Sequence, residues 1–181
     1  MRNVVLGVRV SPVDYFAVLG LPARLALDPA ELQSRFYELS RKLHPDINAD
    51  ADALDASAAL NDAYRTLRDP VSRAQHLLQR EGFDIGEQRS SNVPPELLEE
   101  VFELNMALEE LRGGDESVRP QLEEALRKFV GMREEADRKL EEKFTEYDQS
   151  QNQKVLEEIR GILNRRKYIL NLERDVKMAS F

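Results

Sequence analysis

The chain has 181 residues, 33% charged and 41% hydrophobic, with a net charge of −8, a composition that fits a soluble globular or helical protein. The charge is uneven: residues 1–82 carry 10 Lys/Arg against 11 Asp/Glu, and residues 83–181 carry 16 against 23, so the acidic second half argues against nucleic acid or an anionic membrane as its main partner. With no cysteine there is no disulfide framework, thiolate metal site or thiol nucleophile, and no apolar run approaches the roughly 18 residues of a membrane span.

Met1 to Val13 holds two arginines and several valines. It is too short and too broken for a signal peptide, so a cytosolic protein with a short extra N-terminal segment is expected. Val4 to Val10 is the only stretch that could alternate as a strand. Tyr15, Phe16 and Leu19 form a short apolar turn, broken by Gly20-Leu21-Pro22. Asp28-Pro29-Ala30-Glu31 is a helix start: Asp28 caps, Pro29 suits the first helical position, and Glu31 stands where a capping-box carboxylate belongs. Leu32, Phe36, Leu39 and Leu43 then recur as one buried stripe, and Pro45 stops the helix. After the loop 46–50 an alanine-rich helix runs from Ala51 to Arg68, with Leu60, Ala63, Tyr64 and Leu67 on one face. Asp69-Pro70 opens another, carrying Val71, Ala74, Leu77 and Leu78 and ending at Gly82.

Residues 83–93 lose periodicity and read as a linker. Pro94-Pro95 opens a helix that stops at Gly113-Gly114. A long helix follows from about Glu116 to Asp148, with the stripe Leu122, Leu126, Phe129, Ala136, Leu140, Phe144 and Tyr147. After a tight polar connection, Gln149 to Gln153, a last helix carries Val155, Ile159, Ile162, Ile169, Leu172 and Val176. Each stripe needs a partner face, so these three helices form an antiparallel bundle. The expectation is an all-α protein: residues 1–82, an N-terminal extension and a helical-hairpin module; 83–93, a linker; and 94–181, a three-helix module.

The tripeptide His44-Pro45-Asp46 sits between two amphipathic helices. His44 can donate or accept a hydrogen bond, Asp46 can pair with an arginine on a partner, and Pro45 fixes the backbone between them. It reads as a docking loop or as a plain helix C-cap with a polar turn.

The context carries a resemblance. Asp14-Tyr15-Phe16 with Leu19-Gly20, the helix ending in His44-Pro45-Asp46, and Asn61-Asp62-Ala63-Tyr64-Arg65-Thr66-Leu67 resemble a J domain. Leu21-Pro22-Ala23-Arg24, Asp69-Pro70 with Arg73-Ala74 and Leu77-Leu78, and Gly82-Phe83-Asp84 are similar to the HscB co-chaperones of iron–sulfur cluster assembly and their mitochondrial relatives. The likeness runs from residue 14 to the C-terminus and does not cover residues 1–13. It implies a two-ended adaptor with no enzymatic activity and no cofactor. The J domain would dock on a DnaK-type (HscA-like) chaperone and stimulate its ATPase, and the C-terminal bundle would hold an iron–sulfur scaffold protein (IscU-like). His44, Pro45 and Asp46 carry over as the chaperone-contacting triad. Arg35, Arg41 and Lys42 carry over as the basic face of the preceding helix, interrupted by Gln33 and Glu38.

At the other end the residues speak independently. On a helix advancing about 100° per residue, Leu97, Val101, Leu104, Leu108 and Leu111 fall within about 80° of one another, and Leu98, Phe102 and Met106 form a second stripe about 140° away. The second stripe either packs internally or is an apolar patch rimmed by Glu99, Glu103 and Glu109, suited to a transient partner. The resemblance implies scaffold contacts at Leu98, Phe102 and Glu103, and places Met106 and Tyr168 at further contact positions. Met106 is apolar where the family commonly has a carboxylate, and Glu99 stands where a methionine is often seen. These departures leave a different client as the alternative. Tyr168 reads equally as a core-edge tyrosine.

Other chemistries find no support. His76 lies in a helix among Gln75, Leu77 and Leu78, and is a partly buried or surface histidine, with no set of neighbours spaced to hold a metal. The paired glutamates lie on polar helix faces beside Lys/Arg and read as solvated surface. No glycine-rich phosphate loop is present. Arg165-Arg166-Lys167, in an acidic module, reads as a solvated face or an intramolecular ion-pair patch. A bacterial cytoplasm is expected, with a mitochondrial matrix as the lesser alternative.

Overall fold

The computed structural model describes residues 13–44, 51–84 and 93–180; the strand candidate Val4–Val10 lies outside them, as do residues 1–12, Pro45, Asp46 and residues 85–92 of the linker. Among the described residues every regular element is a helix. The chain divides into two compact units, 1–85 and 86–181.

Among the described residues the first unit holds four helices. In α1 (Tyr15–Leu19), Asp14 Oδ1 accepts the backbone N–H groups of Phe16 and Ala17 at 3.0 and 3.3 Å, satisfying donors that a helix start leaves open. Gly20 ends it at φ 62°, a left-handed turn that glycine adopts without a Cβ clash. In α2 (Pro29–Lys42), Asp28 Oδ1 accepts from the Ala30 N–H at 2.9 Å with proline at the first helical position, as expected. α3 (Ala51–Arg68) and α4 (Pro70–Arg80) follow, the latter capped by Asp69 on the Ser72 N–H at 2.7 Å. Phe16, Leu19, Leu25, Leu32, Leu60, Ala63, Leu67, Ala74, Leu77 and Leu78 are buried in the core. Of the expected α2 stripe only Leu32 is fully buried; Phe36, Leu39 and Leu43 are half-buried. Phe36 stacks on Tyr64 of α3 with ring centroids 4.2 Å apart, which ties α2 to α3.

In the second unit a 3₁₀ turn (Pro95–Leu97) leads into α5 (Leu98–Arg112). A second 3₁₀ turn (Glu116–Val118), capped by Asp115 on the Ser117 N–H, leads into α6 (Arg119–Ser150). The regular helix thus starts three residues later than the pattern suggests, with Pro120, which has no N–H to donate, in its first turn. The connection to α7 (Gln153–Ser180) is shorter than expected, Gln151 and Asn152 alone. Gln151 turns left-handed (φ 51°) and its N–H donates to the Tyr147 carbonyl at 2.7 Å.

With 15 residues against 32 and 28, α5 cannot cover the whole α6–α7 hairpin. One core joins all three helices through Leu97, Leu104 and Leu108 with Leu122, Phe129, Ile169, Leu172 and Val176. Beyond it Ala136, Leu140, Phe144, Tyr147, Val155, Leu156, Ile159 and Leu163 are buried where α6 and α7 pair alone. The α7 stripe read from the sequence therefore needs correction: Ile162 is half-buried, while Leu156 and Leu163 are buried. A two-helix seam selects spacings of three and four, here 156, 159 and 163.

Candidate functional site

The two candidate faces arise on different units and are built by different local logic. At the first, α2 ends at Leu43, and the His44 N–H donates to the Arg41 carbonyl at 3.4 Å. His44 itself is exposed. The rest of its tripeptide, Pro45 and Asp46, lies outside the described residues.

The cations of α2 divide into two roles. Arg35 is half-buried: its Nε donates to the Leu19 carbonyl at 3.0 Å and its Nη1 to Glu38 Oε2 at 2.7 Å. It links α1 to α2. Lys42 reaches the same carboxylate at 2.7 Å from the other side. The Lys42 and Arg35 bonds hold the Glu38 carboxyl below the ordinary carboxylate range. Arg41 and Lys42 remain exposed on the turn just before His44. Tyr37, one turn before Arg41 and so on the same face, is 52% exposed. It lies about 130° around the helix from the 32–36–39–43 stripe.

The second face is α5. Its two stripes separate as the helical phase requires: Leu97, Leu104 and Leu108 are buried, Val101 and Leu111 pack partly against the same core, and Leu98, Phe102 and Met106 are 54%, 65% and 49% exposed. Within the second unit the stripe therefore does not widen the core face. Glu99, Glu103 and Glu109 are exposed around it, and Glu109 pairs with Arg112 at 2.7 Å. Glu100 differs from its neighbours. It is half-buried and meets Lys128 of α6 at 3.1 Å, and its own backbone N–H, then Lys128, lower its carboxyl pKa. It pins α5 to α6 and leaves Glu99 and Glu103 to face solvent. Beside it runs a small groove of about 190 Å³ between α5 and α6, floored by Leu104, Ala107, Leu122 and Phe129 and edged by Glu103 and Glu124.

Tyr168 packs partly against the three-helix core, and burial pushes its phenol pKa up, with Asp175 adding to the shift. The structure thus gives it a core-edge setting. Arg165, one turn earlier, lies 3.9 Å from Glu96, so this stretch of α7 runs beside the start of α5. Arg166 of the basic run likewise forms an ion pair, meeting Asp137 of α6 at 2.5 Å.

His76 is more buried than expected, 6% exposed, with its Nε2 accepting the Tyr15 N–H. Among the described residues no group of three His, Asp or Glu side chains could hold a metal ion, and no helix is long and apolar enough to cross a membrane.

Comparison with known proteins gives both halves a match. Residues 14–76 match the family described as the DnaJ domain, and residues 93–177 match that described as the HSCB C-terminal oligomerisation domain. Two curated proteins named co-chaperone protein HscB homolog, from Vibrio vulnificus strains YJ016 and CMCP6, are 38% identical over 112 residues. That alignment covers 58% of this chain and 65% of each relative, just under two thirds of their length. Among solved structures, chaperone HscB from Vibrio cholerae aligns over 91% of this chain and 96% of its own, with 29% identity and a TM-score of 0.59. Human co-chaperone protein HscB aligns over 92% and 82%, with 29% identity and a TM-score of 0.62.

Proposed function

Because the chain belongs to the HscB co-chaperone family, with a DnaJ-type domain ahead of an HscB-type C-terminal domain, we propose that it is a non-enzymatic adaptor of iron–sulfur cluster assembly. Its first unit docks on a DnaK-type chaperone and stimulates that partner's ATPase. Its second unit holds the scaffold protein on which clusters are built. The bacterial relatives support a bacterial cytoplasm as its setting.

The observation that carries the reading is the exposed apolar stripe Leu98, Phe102 and Met106 on a helix whose opposite side is already satisfied by a core. Large side chains left in water cost solvation free energy that only a partner recovers. Phe102, the most exposed of the three, is the natural anchor, because interface energy concentrates in a few central aromatic or large apolar groups. Glu99 and Glu103 form a charged rim that selects a basic-edged client and quickens encounter. At the other end His44, Pro45 and Asp46 form the chaperone-contacting triad. Arg41 and Lys42 supply positive charge beside it, while Arg35 positions the helix through Leu19 and Glu38. No bond is made or broken by the adaptor. It raises the local concentration of the client at the chaperone, since two tethered weak contacts act together far above either alone.

The test is the steady-state ATPase of a DnaK-type chaperone with this protein, with and without scaffold. Weak stimulation alone and stimulation beyond additivity with scaffold are expected. His44→Gln should abolish both while helicity is unchanged. Stimulation that persists in His44→Gln, or absence of scaffold binding at tens of micromolar, overturns the corresponding half. In the second case Glu99 and Met106 favour a J-domain adaptor for a different client.

A further inference from the structure

The groove between α5 and α6 lies beside the apolar stripe, and the function above does not use it. Glu100, Glu103 and Ala107 of α5 face Glu124, Ala125 and Lys128 of α6 across it. Each wall contributes one alanine, and these short side chains leave a slot of about 190 Å³ where two longer ones would close it. The floor is apolar, with Leu104, Leu122 and Phe129 all buried. The lips carry excess negative charge. Lys128, the one cation of the lining, is committed to Glu100 at 3.1 Å. Glu103 and Glu124 are exposed and, among the described residues, form no ion pair.

An anionic guest is repelled by these lips. A wholly apolar guest would cover the floor but strip water from the carboxylates without compensation. A long apolar stem ending in a cation satisfies both parts: the stem lies on the floor, and the head stays at the lips between carboxylates. The geometry points to the slot as a subsite for one arginine or lysine side chain of the client, its head held by Glu103 and Glu124. Arginine fits better, because a guanidinium is weakly hydrated and forms paired bonds to carboxylates. The slot is continuous with the client face, since Glu103 follows Phe102 in the chain and stands about 60° from Met106 around α5. That a client supplies the side chain rests on the functional reading above; that the slot takes a cation does not. The client thus presents a basic residue beside the apolar surface that covers Phe102, and α6 shares with α5 the selection of that client.

n-Butylguanidinium tests the slot apart from any client. Titrated into the full chain at constant ionic strength, it should shift the Ala107 and Ala125 methyl resonances saturably, with Kd on the order of 10 mM for a fragment of this size. Sodium butyrate should leave them unmoved. Glu103→Gln with Glu124→Gln should raise that Kd about fivefold or more. Ala125→Leu, which fills the slot from a half-buried position, should abolish the shift, and circular dichroism checks that each variant keeps its helicity. Against the scaffold protein, Glu124→Lys should weaken binding about tenfold although it lies on α6, clear of the stripe. No saturable shift, or one indifferent to these changes, overturns the slot. Scaffold binding that falls with Phe102→Ala but ignores Glu124→Lys and Ala125→Leu overturns the client's basic residue and leaves the adaptor standing. A wild type that binds no scaffold overturns the adaptor, and the butylguanidinium titration still decides the slot.

Discussion

The backbone N–H of Tyr15 donates to Nε2 of His76, 61 residues further along the chain, at 3.1 Å, and the two rings stack with centroids 4.6 Å apart. The bond requires an unprotonated Nε2. Burial pushes the His76 pKa below its ordinary 6.5, opposed by Asp14 and reinforced by Arg80. In the window between the folded value and 6.5 the unfolded chain binds a proton that the folded chain refuses. Stability from this group is therefore complete above pH 6.5 and is lost as pH falls through that window. Urea midpoints measured from pH 7.5 to 5 should decline, and His76→Gln should flatten the decline. An unchanged slope in the variant would show that other groups carry it.

Gly20 and Gly82 separate conformational cost from steric cost. Both have positive φ, 62° and 84°. A Cβ at Gly20 would lie 2.8 Å from Nη2 of Arg35, whereas one at Gly82 meets nothing within 4 Å. Gly82→Ala should cost about 1 kcal/mol, the left-handed penalty alone. Gly20→Ala should cost more, because Arg35 must also give up its bonds to the Leu19 carbonyl and Glu38. By contrast Gly131 and Gly161 lie inside helices with open space, so alanine at either should stabilise by about 0.5–1 kcal/mol. Chemical denaturation of the four variants gives the ordering directly.

Phe102 and Leu104 stand two residues apart on α5 with opposite surroundings, 65% and 3% exposed. Phe102→Ala should leave the melting temperature within a degree or so and weaken scaffold binding by roughly 2 kcal/mol. Leu104→Ala should destabilise the fold by about 2–5 kcal/mol. Titration calorimetry and thermal melts on both variants check the pair. A large drop in melting temperature for Phe102→Ala would return that side chain to the core.

Glu173 is buried on α7 and meets Arg133 of α6 at 2.8 Å. Arg133 also reaches Asp137 at 3.5 Å, and Asp137 meets Arg166. The bond to Glu173 is the largest cause of the raised Arg133 pKa. Glu173→Ala removes the partner of a partly buried guanidinium and should cost about 3 kcal/mol, nearly independent of salt. Glu109→Ala, in the exposed pair with Arg112, should cost at most about 0.5 kcal/mol and less at high salt. Melting both variants at low and high ionic strength distinguishes the two.

Much of this protein was legible from local chemistry. The caps at Asp28 and Asp69, the helix-starting prolines and the stop at Gly20 stand as the residues suggest, because a cap is a contact between groups two or three residues apart. The two stripes of α5 separated correctly, since helical phase follows from spacing alone. The resemblance to the HscB co-chaperones rested on ordered motifs in both halves, and both halves match that family's domains. What tertiary structure decided was which neighbour each side chain meets. Arg35 spends its donors on Leu19 and Glu38, His76 accepts from Tyr15, and Leu156 and Leu163 replace Ile162 in the α6–α7 seam. Those outcomes depend on groups far apart in the chain, and periodicity names the face of a helix without naming the surface opposite it.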